Sequence, residues 1–335
     1  MFKNRGRVRV TAALFGVLAL GIAGCSSTGG AEDTGGDGGN TGGGVSTPEY
    51  KVALITHAAA GDTFWDIIRK GAQAAADKDN IDLQYTNNDD ATQQATLIQN
   101  AVDAKVDAIA VTAPNADAIQ GALANATAAG IPIIGLNAGY GTWKDLGMIG
   151  YFGQDETIAG TAAGERLAED GAKKVLCVIQ AQGQSQLEAR CDGVTKGLGS
   201  AGTVERIYIN GTDSSASETT ITAKLQEDPS IDHVMTLGAQ FGLIAVQAKD
   251  TAGSSAKIAT FDTSGELVQA IKDKKVEWAI DQQPYLQGYE AIDSAWLYLT
   301  NANTIGGGQA VNTGPAFIDS TNIDAVSEYA AKGTR

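Results

Sequence analysis

After Pro48, short β-branched or aliphatic runs alternate with amphipathic helical stretches as far as residue 302. The strand pattern falls on residues 51–56, 82–85, 108–112, 132–136, 174–179, 204–209, 233–237, 257–261 and 277–280. Between the first and second runs, Phe64, Ile67, Ile68, Gly71, Ala72 and Ala75 recur at helical spacing, and Leu97, Ile98, Ala101 and Val102 do so between the second and third. Such βαβ rhythm predicts an α/β fold whose parallel sheets are covered by helices. The alternation breaks near residues 139–153, where Gly, Tyr and Trp intervene. So many strands rarely form one sheet in 335 residues, so the pattern predicts two Rossmann-like lobes.

The first 48 residues follow other rules. Lys3, Arg5, Arg7 and Arg9 precede an apolar run from Val10 to Ala23 that is short for a membrane span, which reads as a signal peptide over residues 1–24. It ends in Ile22-Ala23-Gly24-Cys25, a pattern that resembles the lipobox of bacterial lipoproteins and makes Cys25 the expected lipidation site; an uncleaved anchor with an incidental Cys is the alternative. Residues 25–48 are nearly all Gly, Ser, Thr, Asn and Asp, a composition expected of a flexible tether. The expected location is extracytoplasmic, on the outer face of the cell membrane.

Removing the four cations of residues 1–24 from the 24 Lys and Arg leaves 20 against 39 Asp and Glu. That acidic balance disfavours nucleic acid as a partner, since its phosphates demand cations. Apart from Cys25, the cysteines are Cys177, in a strand pattern, and Cys191, at the expected start of the helix that follows. In an oxidising compartment this pair forms a disulfide that pins one βα unit, or else two buried thiols.

Open α/β sheets hold ligands beyond the carboxyl ends of their strands. After the first run comes His57-Ala58-Ala59-Ala60-Gly61-Asp62-Thr63-Phe64-Trp65, a carboxylate beside two aromatics at a helix start. Rings cover the C–H faces of sugars and carboxylates accept their hydroxyl protons, so Asp62, Phe64 and Trp65 are candidate contacts; the alternative is a Thr63 cap with both rings in the core. Thr112 ends the third run, with Asn115 or Asp117 placed to cap the next helix. Asn137 follows the fourth, as ligand contact or turn residue. Arg190 is expected to bridge ligand oxygens and Asp262, or to form a surface ion pair with Glu188 or Asp192. Asp262 follows the run ending at Phe261 and is either a contact or a helix cap. Gln282 lies where a strand gives way to a helix, at the expected mouth of both lobes. His57, Ala239 and Gln240 are secondary candidates.

Taken in order, Gly61-Asp62-Thr63-Phe64-Trp65, Glu188-Ala189-Arg190-Cys191-Asp192-Gly193, Thr260-Phe261-Asp262 and Asp281-Gln282-Gln283-Pro284 resemble segments of the type I periplasmic sugar-binding proteins, which include ribose binders. The resemblance runs from about Tyr50 to residue 310. It implies the periplasmic binding protein type I fold, with a three-segment hinge near Gly153, Gln283 and residues 310–313. The lobes would be residues 49–153 with 284–311, and 154–283 with 312–335. It also implies a monomeric solute-binding component of an ABC importer, closing on a small neutral monosaccharide or sugar alcohol and docking on a permease driven by an ATPase. No cofactor is implied. By the same likeness Arg190, Asp262 and Gln282 match the family's ligand contacts directly. Thr112, Ala138, Thr212 and Ala239 stand where ribose binders carry Asn, Arg, an aromatic and Asn, and Asn137 replaces an acid, so a neutral polyol other than ribose fits better.

Three other classes share parts of the pattern. A hydrolase would need a nucleophile or metal cluster, yet His57 and His233 are the only histidines and no nucleophile elbow, metal spacing or phosphate loop appears. Asp62 with Asp262 has the composition of a glycosidase pair, but Arg190 is expected to keep both ionised and leave no general acid. A sensor presenting a sugar or a quorum signal to a receptor remains the alternative function. The lactose-repressor relatives carry a helix-turn-helix where this chain has a signal and tether.

Overall fold

The computed structural model describes residues 48–59 and 61–335. The signal, Cys25 and nearly all of the tether expected from sequence therefore lie outside the described residues.

The first lobe begins with β1 (Tyr50–Thr56), α1 (Phe64–Asp79), β2 (Ile81–Asn87), α2 (Ala91–Asp103), β3 (Ala108–Val111), α3 (Ala116–Ala128), β4 (Ile133–Leu136) and β5 (Gly150–Gly153). The chain then crosses to the second lobe with α4 (Glu156–Glu169), β6 (Lys174–Ile179), α5 (Ser185–Leu198), β7 (Thr203–Tyr208), α6 (Ser214–Glu227), β8 (His233–Thr236), α7 (Ala239–Ala252), β9 (Lys257–Phe261), α8 (Gly265–Lys272) and β10 (Trp278–Asp281). It returns through α9 (Pro284–Asn301) and β11 (Val311–Asn312), and ends in the second lobe with β12 (Ala316–Asp319) and α10 (Ile323–Lys332).

One sheet runs β11-β5-β4-β3-β1-β2 and the other β12-β10-β9-β8-β6-β7. All pairings are parallel except β10 with β12. Central strands β3, β4, β8 and β10 are buried throughout, whereas edge strand β2 alternates. That contrast follows from helices on both faces of each sheet. In the first lobe α1 and α9 cover one face through Ile68, Ala72, Ala291 and Ile292, while Ile98, Ile119 and Leu123 of α2 and α3 fill the other. In the second, Ala159, Ala163 and Val194 of α4 and α5 lie opposite Ile221, Ile244 and Leu267. Gly160 lets α4 and α5 touch: a Cβ there would stand 2.2 Å from the Arg190 carbonyl oxygen. Cys177 on β6 and Cys191 on α5 are joined in a disulfide, with Cα atoms 6.0 Å apart.

Strands β5, β11 and β12 carry no signal in the alternation pattern. Gly150 and Gly153 flank only two large residues in β5, β11 has two residues, and β12 is mostly half-buried. Asn312 pairs with Gly153 at the sheet edge, so the third crossing lies at residues 313–315.

The three crossings, 154–155, 282–283 and 313–315, lie side by side. Gln283 Nε2 donates to Thr313 O at 2.6 Å, Gln287 Nε2 to Thr313 Oγ1 at 3.0 Å, and Thr313 N–H to Gly153 O at 2.7 Å.

Candidate functional site

Between the lobes, at the carboxyl ends of both sets of strands, is a cavity of about 530 Å³. His57, Asp62, Phe64, Trp65, Asn137, Arg190, Asp262 and Gln282 all line it, as do Ala239 and Gln240.

The first lobe supplies an aromatic wall. Asp62 Oδ1 accepts the Phe64 N–H at 3.0 Å, tying the loop to the start of α1, where Thr63 makes no side-chain cap. This turn presents Trp65 edge-on to His57, with ring centroids 4.6 Å apart, and to Phe64, 5.3 Å apart. Burial raises the Asp62 carboxyl above its ordinary value, against the Phe64 and Trp65 hydrogen bonds. His57 is pushed down to about 3 by burial and then by the Arg190 charge, so its ring is neutral. Its Nδ1 lies 2.8 Å from Thr112 Oγ1, and its Nε2 lies 3.1 Å from Gln186 Nε2 on the opposite lobe. Each ring nitrogen thus has a polar partner, one in each lobe.

Thr112 does not reach the cavity. Its hydroxyl faces the His57 ring and backbone N–H and the Gln94 amide, so it supports His57 from behind. Ala138 also sits outside the cavity lining, fully buried, with its carbonyl accepting the Ala113 N–H.

A polar chain links the two lobes across the floor. Asn137, at φ +63°, donates Nδ2 to Gln282 Oε1 at 3.0 Å, and Gln282 Nε2 donates to Asp262 Oδ1 at 2.7 Å. Asp262, at φ +66°, lies ahead of the α8 cap, a role taken by Ser264. Burial raises Asp262 to about 7, more than the Arg190 charge and the Gln282 bond can offset.

Two expectations for Arg190 need correction. It neither bridges to Asp262 nor pairs on the surface: it is buried, with Nε 2.6 Å from Glu156 Oε2, Nη2 2.9 Å from Oε1 and Nη1 donating to Leu237 O at 3.0 Å. Burial disfavours its charge, but Glu156 more than compensates and raises its pKa. Burial outweighs the Arg190 charge, so Arg190 does not hold Asp262 ionised, and burial moves both Asp62 and Asp262 upward instead. Three of the five guanidinium N–H groups are taken; the other two have no partner among the described residues.

Sequence reasoning missed Glu156 and the segment Gln180-Ala181-Gln182-Gly183-Gln184-Ser185-Gln186, whose four amides all line the cavity. Their signal was available: Gln at every second position directly after a strand. Gln180 Oε1, Gln186 Oε1 and Thr263 Oγ1 are buried acceptors without partners among the described residues. Such groups are costly unless a ligand hydroxyl meets them. The site as a whole can hold a neutral, hydroxyl-rich ring between an aromatic edge and an amide wall.

Residues 52–303 match the periplasmic binding protein domain family. The chain is similar to the xylose/arabinose-binding protein XylF of Sulfolobus acidocaldarius, 24% identical over 303 residues, covering 82% of this chain and 72% of that one. It is similar to the ribose import binding protein RbsB of Bacillus subtilis, 23% identical, with 74% and 81% covered. Among solved structures, a carbohydrate transporter from Acidothermus cellulolyticus in complex with myo-inositol is 56% identical, with TM-score 0.85, covering 86% of this chain and all of that one.

Proposed function

Because the chain belongs to the periplasmic binding protein domain family, we propose that it is the extracytoplasmic solute-binding component of an ABC importer whose ligand is a small neutral cyclic polyol, an inositol or a monosaccharide. It binds and does not catalyse. The observation that carries the ligand class is the charge balance of the cavity: His57 is neutral, Arg190 is matched by Glu156, and Asp262 rises to about 7. An anionic solute would meet no uncompensated cation there, whereas hydroxyls meet amides and unpaired acceptors. The myo-inositol complex of the 56% identical relative supports the cyclitol end of that class.

Ligand contacts from both lobes favour the closed form, with rotation about the three crossings. The protein works as a monomer, docking closed on a membrane permease whose ATPase drives import. Cys25, lipidated, tethers it to the membrane through residues 25–48.

A thermal-shift panel of the purified protein with pentoses, hexoses, sugar alcohols and inositols tests the reading. Binding to the native state adds about 2.7 kcal/mol at a ligand concentration a hundred times Kd, so a true ligand raises Tm visibly. Silence from every neutral polyol, with a response to amino acids or other ions, sinks it.

A further inference from the structure

The cavity is larger than one ring. A cyclic hexitol has about twelve heavy atoms, and at roughly 15 Å³ each in a close-packed interior it fills roughly 180 Å³. The cavity measures about 530 Å³. The surplus is room for about a dozen waters at roughly 30 Å³ each, or for a second ring.

Further closure does not readily remove that surplus, because the lobes already touch beside it. Gln186 Nε2 stands 3.1 Å from His57 Nε2, and Ser185 Oγ donates to Pro114 O at 3.0 Å. Rigid rotation would drive these contacts together before it emptied the space between them.

The surplus also has a chemistry of its own. The floor, with His57, Trp65, Asn137, Arg190, Asp262 and Gln282, is buried. Toward the mouth, the second lobe presents Gln180, Gln182, Asn210, Thr212, Ser214 and Gln240, exposed or half-buried, from the segments after β6, β7 and β8. All six are neutral and able both to donate and to accept. Several are already oriented: Thr212 Oγ1 donates to Asn210 Oδ1 at 2.8 Å, and Gln240 Nε2 to Ser214 Oγ at 3.3 Å. Gln180 donates its amide to Leu237 O at 3.4 Å, yet its buried oxygen has no partner among the described residues. No Lys lines the cavity among the described residues, and the carboxylates facing this end, Asp62 and Asp89, would repel an anionic substituent.

We propose that the cavity is a two-ring site: the buried floor takes a cyclitol or hexose ring, and the outer amide and hydroxyl wall takes one further neutral glycosyl ring joined to it. The proposal rests on the neutral-polyol reading and sharpens its ligand to a glycoside.

Calorimetric titration of the purified protein with myo-inositol and with glucose, each bare and each carrying an α-galactosyl group, tests it. In at least one pair the galactoside is expected to bind at least tenfold more tightly than the bare ring. Thr212→Trp, which fills the outer half, is expected to weaken that galactoside at least tenfold more than it weakens the bare ring. Bare rings that bind, with galactosides gaining less than tenfold in both pairs, overturn the two-ring site and leave the polyol reading standing. Equal weakening of both ligands by Thr212→Trp also overturns it. Failure of all four probes to bind overturns the two-ring site as stated, and the polyol reading falls with it only if the whole thermal-shift panel is silent too.

Discussion

Asp262→Asn isolates the electrostatics of the cavity floor. The position has φ +66°, which Asn tolerates, and the amide retains an oxygen to accept from Gln282 Nε2, 2.7 Å away. Burial raises Asp262 from 3.8 to about 7 despite Arg190. Between those values the native chain keeps a proton that the unfolded chain has released, so this group's contribution to stability falls as pH rises through that window and is level above it. About three pH units at roughly 1.4 kcal/mol each set ~4 kcal/mol as the upper bound. His57 works in the opposite direction: burial and Arg190 lower it from 6.5 to about 3, so over that range the unfolded chain binds the extra proton and stability rises with pH. In the native sequence the two contributions largely cancel across mildly acidic pH. Asp262→Asn removes only the falling one. Urea melts of both proteins from about pH 4 to about pH 8 are expected to show the variant gaining on the native chain as pH rises. The gain starts near zero at the acid end and reaches at most ~4 kcal/mol above neutrality. A difference that stays flat, or that shrinks with pH, would mean that Asp262 is an ordinary ionised carboxylate in the folded protein.

Glu156→Leu leaves the buried Arg190 charge unpaired and is expected to cost about 3–5 kcal/mol, most of it recovered when Arg190→Met is added; urea melts of the single and double variants decide, and a loss under ~1 kcal/mol for the single change would refute the pairing. Replacing both Cys177 and Cys191 by Ser opens a crosslink spanning 14 residues and is expected to cost ~3 kcal/mol. Equal melts for the native and double-Ser proteins, both without reductant, would speak against the bond. Gly160→Ala pushes α4 from α5 where a Cβ would meet the Arg190 carbonyl at 2.2 Å; a loss of about 1–3 kcal/mol is expected, with weaker ligand binding because α5 carries Arg190. Unchanged stability and affinity would show that the helices separate freely.

The alternation of apolar runs and helical spacing sufficed to predict α/β lobes with parallel sheets, because a central strand buried on both faces must be apolar along its whole length. The same rhythm located the side of the sheets that carries the cavity, since each strand's carboxyl end is followed by a segment whose composition is readable. Asp62, Trp65, Asn137, Asp262 and Gln282 were visible for that reason, and all five face one cavity. Three things required coordinates. The short strands β5, β11 and β12 carry too few residues to show a period, and only pairing with neighbours makes them strands. Thr112 follows a strand like the others, but its side chain points behind the wall, and local sequence does not say which side of a backbone faces a gap formed by a different lobe. Arg190 and Glu156 lie 34 positions apart, and their pairing depends on how α4 packs on α5. That contact makes Arg190 one half of a buried ion pair, and Asp262 rises because its burial, also a product of the tertiary packing, outweighs the Arg190 charge.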